Sequence, residues 1–84
     1  MKKIKFSLHS LIQMKERGSS RQEVEEAIQK GEKVSAKKDR HAYRLNFQYN
    51  KFWADREYAI KQVMPIVVEE GSAITVITVY TFYF

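Results

Sequence analysis

Two histidines, His9 and His41, and a run of cations between Lys33 and Arg44 are the residues of this chain best suited to chemistry on a phosphate. A histidine titrates near neutrality and can serve as general acid or base. In RNA cleavage by transfer to the 2′-hydroxyl, one group removes the 2′-OH proton and another protonates the leaving 5′-oxygen. Arg or Lys meanwhile stabilises the charge that builds on phosphorus. That route needs no metal and no cofactor, and none is expected. His9 falls early in a helical stretch, and Arg17 lies eight residues on, about 80° round the helix on the same polar flank. The bland alternatives are a structural helix histidine and, for Lys33, Lys37, Lys38, Arg40, His41 and Arg44 against a lone Asp39, a solvated loop.

A second source of polar groups lies in Ile74–Phe84, eleven consecutive residues that are β-branched or aromatic. Such a run favours a pleated strand. Strict alternation puts Ile74, Val76, Thr78, Tyr80 and Phe82 on one face and Thr75, Ile77, Val79, Thr81 and Tyr83 on the other. A strand apolar on both faces is expected in the middle of a sheet, covered on both sides. Thr78 and Tyr80 then become two hydroxyls held side by side on a rigid element, in need of a basic partner. The other aromatic residues divide differently. Phe47, Tyr49, Phe82 and Phe84 are expected to pack rather than stack on bases, whereas Phe52 and Trp53 in a turn suit a stacking platform or an interface anchor.

Several chemistries are disfavoured by what the sequence lacks. There is no cysteine, so disulfides and thiolate metal sites are out of reach. Glu23, Glu25 and Glu26 fall on a capped helix and Glu69-Glu70 in a turn, and neither group has ligand spacing with a histidine. There is no glycine-rich phosphate loop and no serine or cysteine nucleophile motif, and nothing reads as a membrane span or signal peptide. The net charge of +5 over 84 residues points to an anionic partner, and the absence of cysteine fits a reducing cytosol.

The elements that must position these groups form one domain, residues 1–84, near the size at which a single core just suffices. Lys3-Ile4-Lys5-Phe6 alternates as a short edge strand. A helix follows from Ser7 or Leu8, with Leu8, Leu11, Ile12 and Lys15 on its apolar arc and Gly18 as a left-handed stop. Ser20-Arg21-Gln22-Glu23 is a capping box, and Val24, Ala27 and Ile28 form the next helix's buried stripe before Gly31. The period then changes to two, giving strands at Lys33–Ala36, Tyr43–Asn50 and Tyr58–Val68, with a turn over Asn50–Arg56. Pro65 implies an edge position or a bulge, and Glu69-Glu70-Gly71-Ser72 a hairpin turn. The expected fold is α+β: two N-terminal helices packed on one face of a mostly antiparallel sheet of four to five strands.

Phe6-Ser7-Leu8-His9, Glu16-Arg17-Gly18-Ser19, Val24 through Gly31-Glu32, and Ile77-Thr78-Val79-Tyr80 together resemble a small family placed with the RelE-like ribonuclease toxins. Lys61–Val67 and the Tyr-Thr-Phe-Tyr-Phe ending are also similar to the C-terminal toxin domains of polymorphic secreted toxins, in the wider barnase–EndoU–colicin–RelE group. The resemblance implies a RelE/barnase-like sheet and a metal-independent ribonuclease toxin, neutralised by a cognate antitoxin or immunity protein. It implies action in the cytoplasm, either of the producing cell or of a target cell after delivery. Residue by residue it carries acid or base duty onto His9, phosphate binding onto Arg17, and catalytic roles onto Thr78 and Tyr80. Arg40 and Arg44 add phosphate contacts, with Lys37 and His41 beside them. Gln13 departs from the pattern, standing where relatives carry a basic residue, which leaves open both the identity of the base and cleavage itself. A non-catalytic module that holds RNA or an acidic protein on the same basic face is the alternative.

Overall fold

The computed structural model describes residues 2–37 and 39–84; Met1 and Lys38, the latter part of the basic run, lie outside the described residues. Five strands and two helices follow the order β1 (Lys3–Phe6), α1 (Leu8–Arg17), α2 (Arg21–Lys30), β2 (Glu32–Ser35), β3 (Arg40–Trp53), β4 (Arg56–Glu70) and β5 (Ala73–Tyr83). The sheet order is β1-β5-β4-β3-β2, antiparallel except for the parallel β1–β5 pair. The architecture is α+β with a five-stranded mixed sheet.

Both helices start and stop for identifiable reasons. Ser7 caps α1 by accepting the Ser10 amide, and the Ser20–Glu23 capping box is complete at α2. Gly18 ends α1 at φ +81°, the left-handed conformation that glycine alone adopts cheaply. A Cβ on Gly18 would also come within 2.8 Å of the Trp53 ring and 2.9 Å of the Tyr83 hydroxyl. Gly18→Ala is therefore expected to destabilise the domain by about 2 kcal/mol, a shift readable in urea unfolding. A midpoint unchanged from wild type would show that the Trp53–Tyr83 stack yields.

One core lies between the helices and the sheet. Met14, Val24, Val63, Val67, Ile74, Val76 and Val79 are buried together, with Ile4, Phe6, Leu11, Ile28, Tyr43 and Phe47 packed against them. Each such side chain contributes roughly 1.5–3 kcal/mol relative to exposure. On α1 the face that reaches this core is Ser10, Leu11 and Met14, so of the expected arc only Leu11 packs there. Leu8 is 75% exposed and Ile12 49% exposed. The cause is placement: α1 lies along the margin of the sheet beside β5, so one edge of the helix, not its widest apolar stripe, meets the core.

Pro65 sits in β4, the central strand, so the edge alternative is corrected in favour of a bulge. The β3–β4 ladder skips from Ala42↔Ile66 to Leu45↔Val63, the stretch opposite Pro65, which has no amide to donate. On the other side of β4 the register slips between Ile66↔Thr78 and Val67↔Val76, leaving Ile77 as the extra residue of β5. The turn at Asn50–Arg56 is also corrected. β3 continues through Trp53 and the chain reverses at Ala54-Asp55, with Ala54 at φ +57°.

The N-terminal side of the sheet is fastened by Glu69. Its carboxylate accepts from Lys2 Nζ (2.9 Å) and from the Tyr43 hydroxyl (3.0 Å), with Lys33 Nζ 4.0 Å away. The bond from Lys2, then that from Tyr43, holds the Glu69 carboxyl below the usual carboxylate range. A lowered pKa contributes stability above the unfolded-state value, lost as pH falls through the folded-state value. Glu69→Gln should flatten the acid side of the stability profile, checked by urea midpoints taken from roughly pH 7 down to pH 3. An acid slope identical to wild type would assign that dependence elsewhere.

Candidate functional site

The extra residue Ile77 decides which face Thr78 and Tyr80 occupy. Ile74 and Val76 point into the core, and unbroken alternation would send Thr78 and Tyr80 after them. The bulge reverses the phase, so Val79 is the next core residue and Thr78, Tyr80 and Phe82 lie on the opposite face. That face carries no helix, because α1 and α2 share a single core on the other side. The expectation that β5 is covered on both faces is corrected accordingly: 84 residues supply two helices, and both are spent on one side.

On the open face, cross-strand neighbours form rows: Thr78 beside Ile66 and Ala42, Tyr80 beside Met64, and Phe82 beside Gln62 and Asn46. A shallow cleft of about 290 Å³ crosses the first of these rows, lined by Ala36, Lys37, Arg40, Ile66, Thr78 and Tyr80. The Arg40 amide donates to the Lys37 carbonyl (3.1 Å), which holds both basic residues at one corner. Among the described residues neither cation has an ion pair; the pairs formed are Lys2–Glu69, Lys33–Glu69, Arg44–Glu32 and Lys61–Glu23. An anion entering the cleft therefore meets two uncompensated positive charges without first breaking a salt bridge.

Arg17 reaches this face from the helix side, round the free edge of β5. Beyond Val76 that edge has no strand partner, since β1 pairs only with Ala73–Val76. Side chains of α1 and its flanks replace the missing strand. The Gln13 Oε1 accepts the Val79 amide (3.0 Å), Arg17 Nη1 donates to the Val79 carbonyl (2.9 Å), and Ser19 and Thr81 share a hydrogen bond through their hydroxyls. The Arg17 guanidinium carbon then stands 5.6 Å from the centre of the Tyr80 ring. Gln13 thus has a concrete task. A lysine or arginine has no acceptor atom for the Val79 amide, so a basic residue at position 13 is incompatible with this cap.

The corner where α1 ends is fixed from below. The Tyr83 hydroxyl donates to the Arg17 carbonyl (2.6 Å), and its ring stacks on Trp53 with centroids 4.9 Å apart. Burial, then the neighbouring Tyr49 and Glu23, pushes the Tyr83 hydroxyl up to about 12, so it remains a donor over the whole physiological range. Trp53 is accounted for by this packing and offers no platform; Phe52, 67% exposed, stays free on the hairpin.

Residues 6–81 match the family model described as Domain of unknown function (DUF4258). The chain belongs to the DUF4258 family. The match spans both helices, the bulge and every residue lining the cleft. No curated protein and no solved structure matches the chain.

Of the residues singled out in the sequence, the fold assembles Lys37, Arg40, Thr78 and Tyr80 in the cleft and sets Arg17 at its rim. Three others are placed apart from it. His9 is exposed on the flank of α1 that also carries Gln13 and Arg17, one and two turns before them, and takes no part in the bonds that tie α1 to β5. His41 pairs with the core residue Val67 and so projects toward the helix side. Arg44 is on the open face, but its guanidinium is engaged by Glu32, with Nε 2.8 Å and Nη2 2.6 Å from the carboxylate. Ile66 and Ala36, which complete the cleft, carry no chemical signal in the sequence. Among the described residues no group of three or more His, Cys, Asp or Glu is placed to hold a metal ion, and no helix is long and apolar enough to cross a membrane.

Proposed function

We propose that this DUF4258 chain is an endoribonuclease of the RelE-like toxin type, acting on RNA laid across the open face of the sheet. One observation carries the reading: the bulge at Ile77 turns Thr78 and Tyr80 away from the core into a cleft that Lys37 and Arg40 also line, cations without an ion pair among the described residues. In this reading Lys37 and Arg40 hold the phosphate, and Arg17 at the rim stabilises the charge that develops on it. The 2′-oxygen attacks phosphorus as its proton passes to a base, and the 5′-oxygen leaves with a proton from an acid, giving a 2′,3′-cyclic phosphate and a 5′-hydroxyl. Tyr80 in the cleft is proposed for one of these transfers, and His9, which stands outside the cleft on α1, for the other where the RNA runs round the free edge of β5. The resemblance of Phe6–His9, Arg17-Gly18 and Thr78–Tyr80 to that family supports the reading, and with it a cognate antitoxin or immunity protein and a cytoplasmic site of action.

The test is cleavage of single-stranded RNA by the purified chain in EDTA. Wild type should cut, and His9→Ala should slow the reaction on the order of 10²-fold while binding RNA as before. If wild type neither slows growth on expression nor degrades RNA, the enzyme reading fails. One observation favours a second reading, a non-catalytic RNA-binding module: neither histidine lines the cleft. In that case RNA binds with steep salt dependence, no product forms, and His9→Ala changes nothing.

A further inference from the structure

Phe82 is a large apolar residue that the fold leaves uncovered. It lies on the open face one strand repeat beyond Tyr80, and the two rings are 40% and 41% exposed. Their planes lie within 15° of each other with centroids 6.2 Å apart, and the Arg17 guanidinium carbon is 5.6 Å from the centre of the Tyr80 ring. Two parallel rings, one of them beside a cation, therefore stand on β5 next to the cleft. The residue beside Phe82 on β4 is Gln62, whose Nε2 donates to Asn46 Oδ1 across the next strand (2.9 Å). Two amides thus stand alongside an exposed π-face, in a chain whose neighbouring cleft presents unpaired positive charge.

Packing does not account for this arrangement, because among the described residues no element covers that face. An aromatic ring kept in water beside phosphate-binding cations has the chemistry of a nucleobase platform. Bases stack on such rings regardless of sequence, and they must be unpaired to do so. We infer that Tyr80 and Phe82 stack unpaired bases of a single-stranded RNA whose phosphate occupies the Lys37–Arg40 corner, with Gln62 and Asn46 at the base edge. The inference rests on the RNA reading of the cleft and deepens it: the ligand is single-stranded RNA, held by its bases as well as its phosphates. Duplex RNA, whose bases are already stacked on each other, is excluded by the same geometry.

The experiment compares the full chain's affinity for a short 2′-O-methyl single strand, which cannot be cleaved at the 2′-oxygen, with that for an abasic strand of equal length and charge. Wild type should bind the base-bearing strand on the order of tenfold more tightly. Phe82→Leu, which keeps apolar bulk without a π-face, should erase most of that difference and leave abasic binding unchanged. Phe82→Trp should restore it, with tryptophan emission quenched by the base-bearing strand alone. Equal binding of the two strands by wild type, an undiminished ratio in Phe82→Leu, or a preference for duplex RNA overturns the stacking platform and leaves a phosphate-binding cleft. Binding of neither strand overturns the RNA reading itself.

Discussion

Lys61→Ala is expected to lower the unfolding free energy by about 3 kcal/mol, the low end for breaking a buried ion pair by removing one partner. The Lys61 side chain is almost wholly enclosed and its ammonium donates to the Gly18 carbonyl and to Glu23 Oε1 (2.8 Å), with the Tyr49 ring 5.7 Å away. Removing it strands a helix-terminal carbonyl and a carboxylate that already serves the α2 capping box. Glu23 is 26% exposed, so water recovers part of its solvation and the loss stays at the low end. For a domain of this size the melting temperature should fall by roughly 10–20 °C. Lys61→Met, which keeps the stem, should cost less, and adding Glu23→Gln to it should cost less than the two single losses combined, because the second change removes the stranded charge. A loss below about 1 kcal/mol would mean that the pair behaves as a surface salt bridge. The consequence reaches the site: Lys61 holds the carbonyl of the residue next to Arg17, so loosening this corner loosens the cleft's rim.

Lys61 also marks where the sequence stops being legible. A lysine among alternating strand residues reads as solvent-facing, and nothing local reveals that a helix C-terminus and a capping glutamate converge on it. The signals that did translate are local ones. Ser20–Glu23 and Gly18 are complete within a few residues of chain, and Gly71 at φ +56° closes the β4–β5 hairpin as its type implies. The chain reversal at Ala54-Asp55 carries no such mark, since alanine rarely adopts a positive φ, and so the β3–β4 hairpin runs longer than its composition suggests. The same limit governs the site. Ile77 is one β-branched residue in a run of them, and a bulge there depends on pairing with β4 beside Pro65, which is not contiguous in sequence. Residue types alone identified Thr78, Tyr80, Lys37 and Arg40, whereas their meeting on one face follows from that bulge. Leu8 and Ile12 of the α1 arc stay exposed for a related reason: periodicity shows which side of a helix is apolar, not that the helix lies at a sheet's margin.

Arg17 should separate catalysis from binding, under the ribonuclease reading. Arg17→Ala is expected to lower kcat for RNA cleavage by about 10³-fold, the effect of removing a charge that acts on the developing phosphorane. Arg17→Lys should rescue little of this. The guanidinium bonds the Val79 carbonyl through Nη1 and stands over Tyr80 at the same time, and a single ammonium cannot keep both contacts and still face a phosphate. Stability is the control: Val79 is fully buried, so its carbonyl left without the guanidinium costs about 1–3 kcal/mol, a loss that unfolding measures separately from kcat. Arg40→Gln should do the reverse: raise KM, leave kcat nearly unchanged and reduce the salt dependence of binding by about one phosphate contact. If Arg17→Ala and Arg40→Gln instead weaken binding alike, with no cleavage to lose in wild type, the rim arginine is one more phosphate contact and the open face is a holding surface. If Arg17→Ala loses activity only in proportion to stability, its role is confined to sealing the edge of β5, and the transition-state charge must be met from the Lys37–Arg40 corner alone.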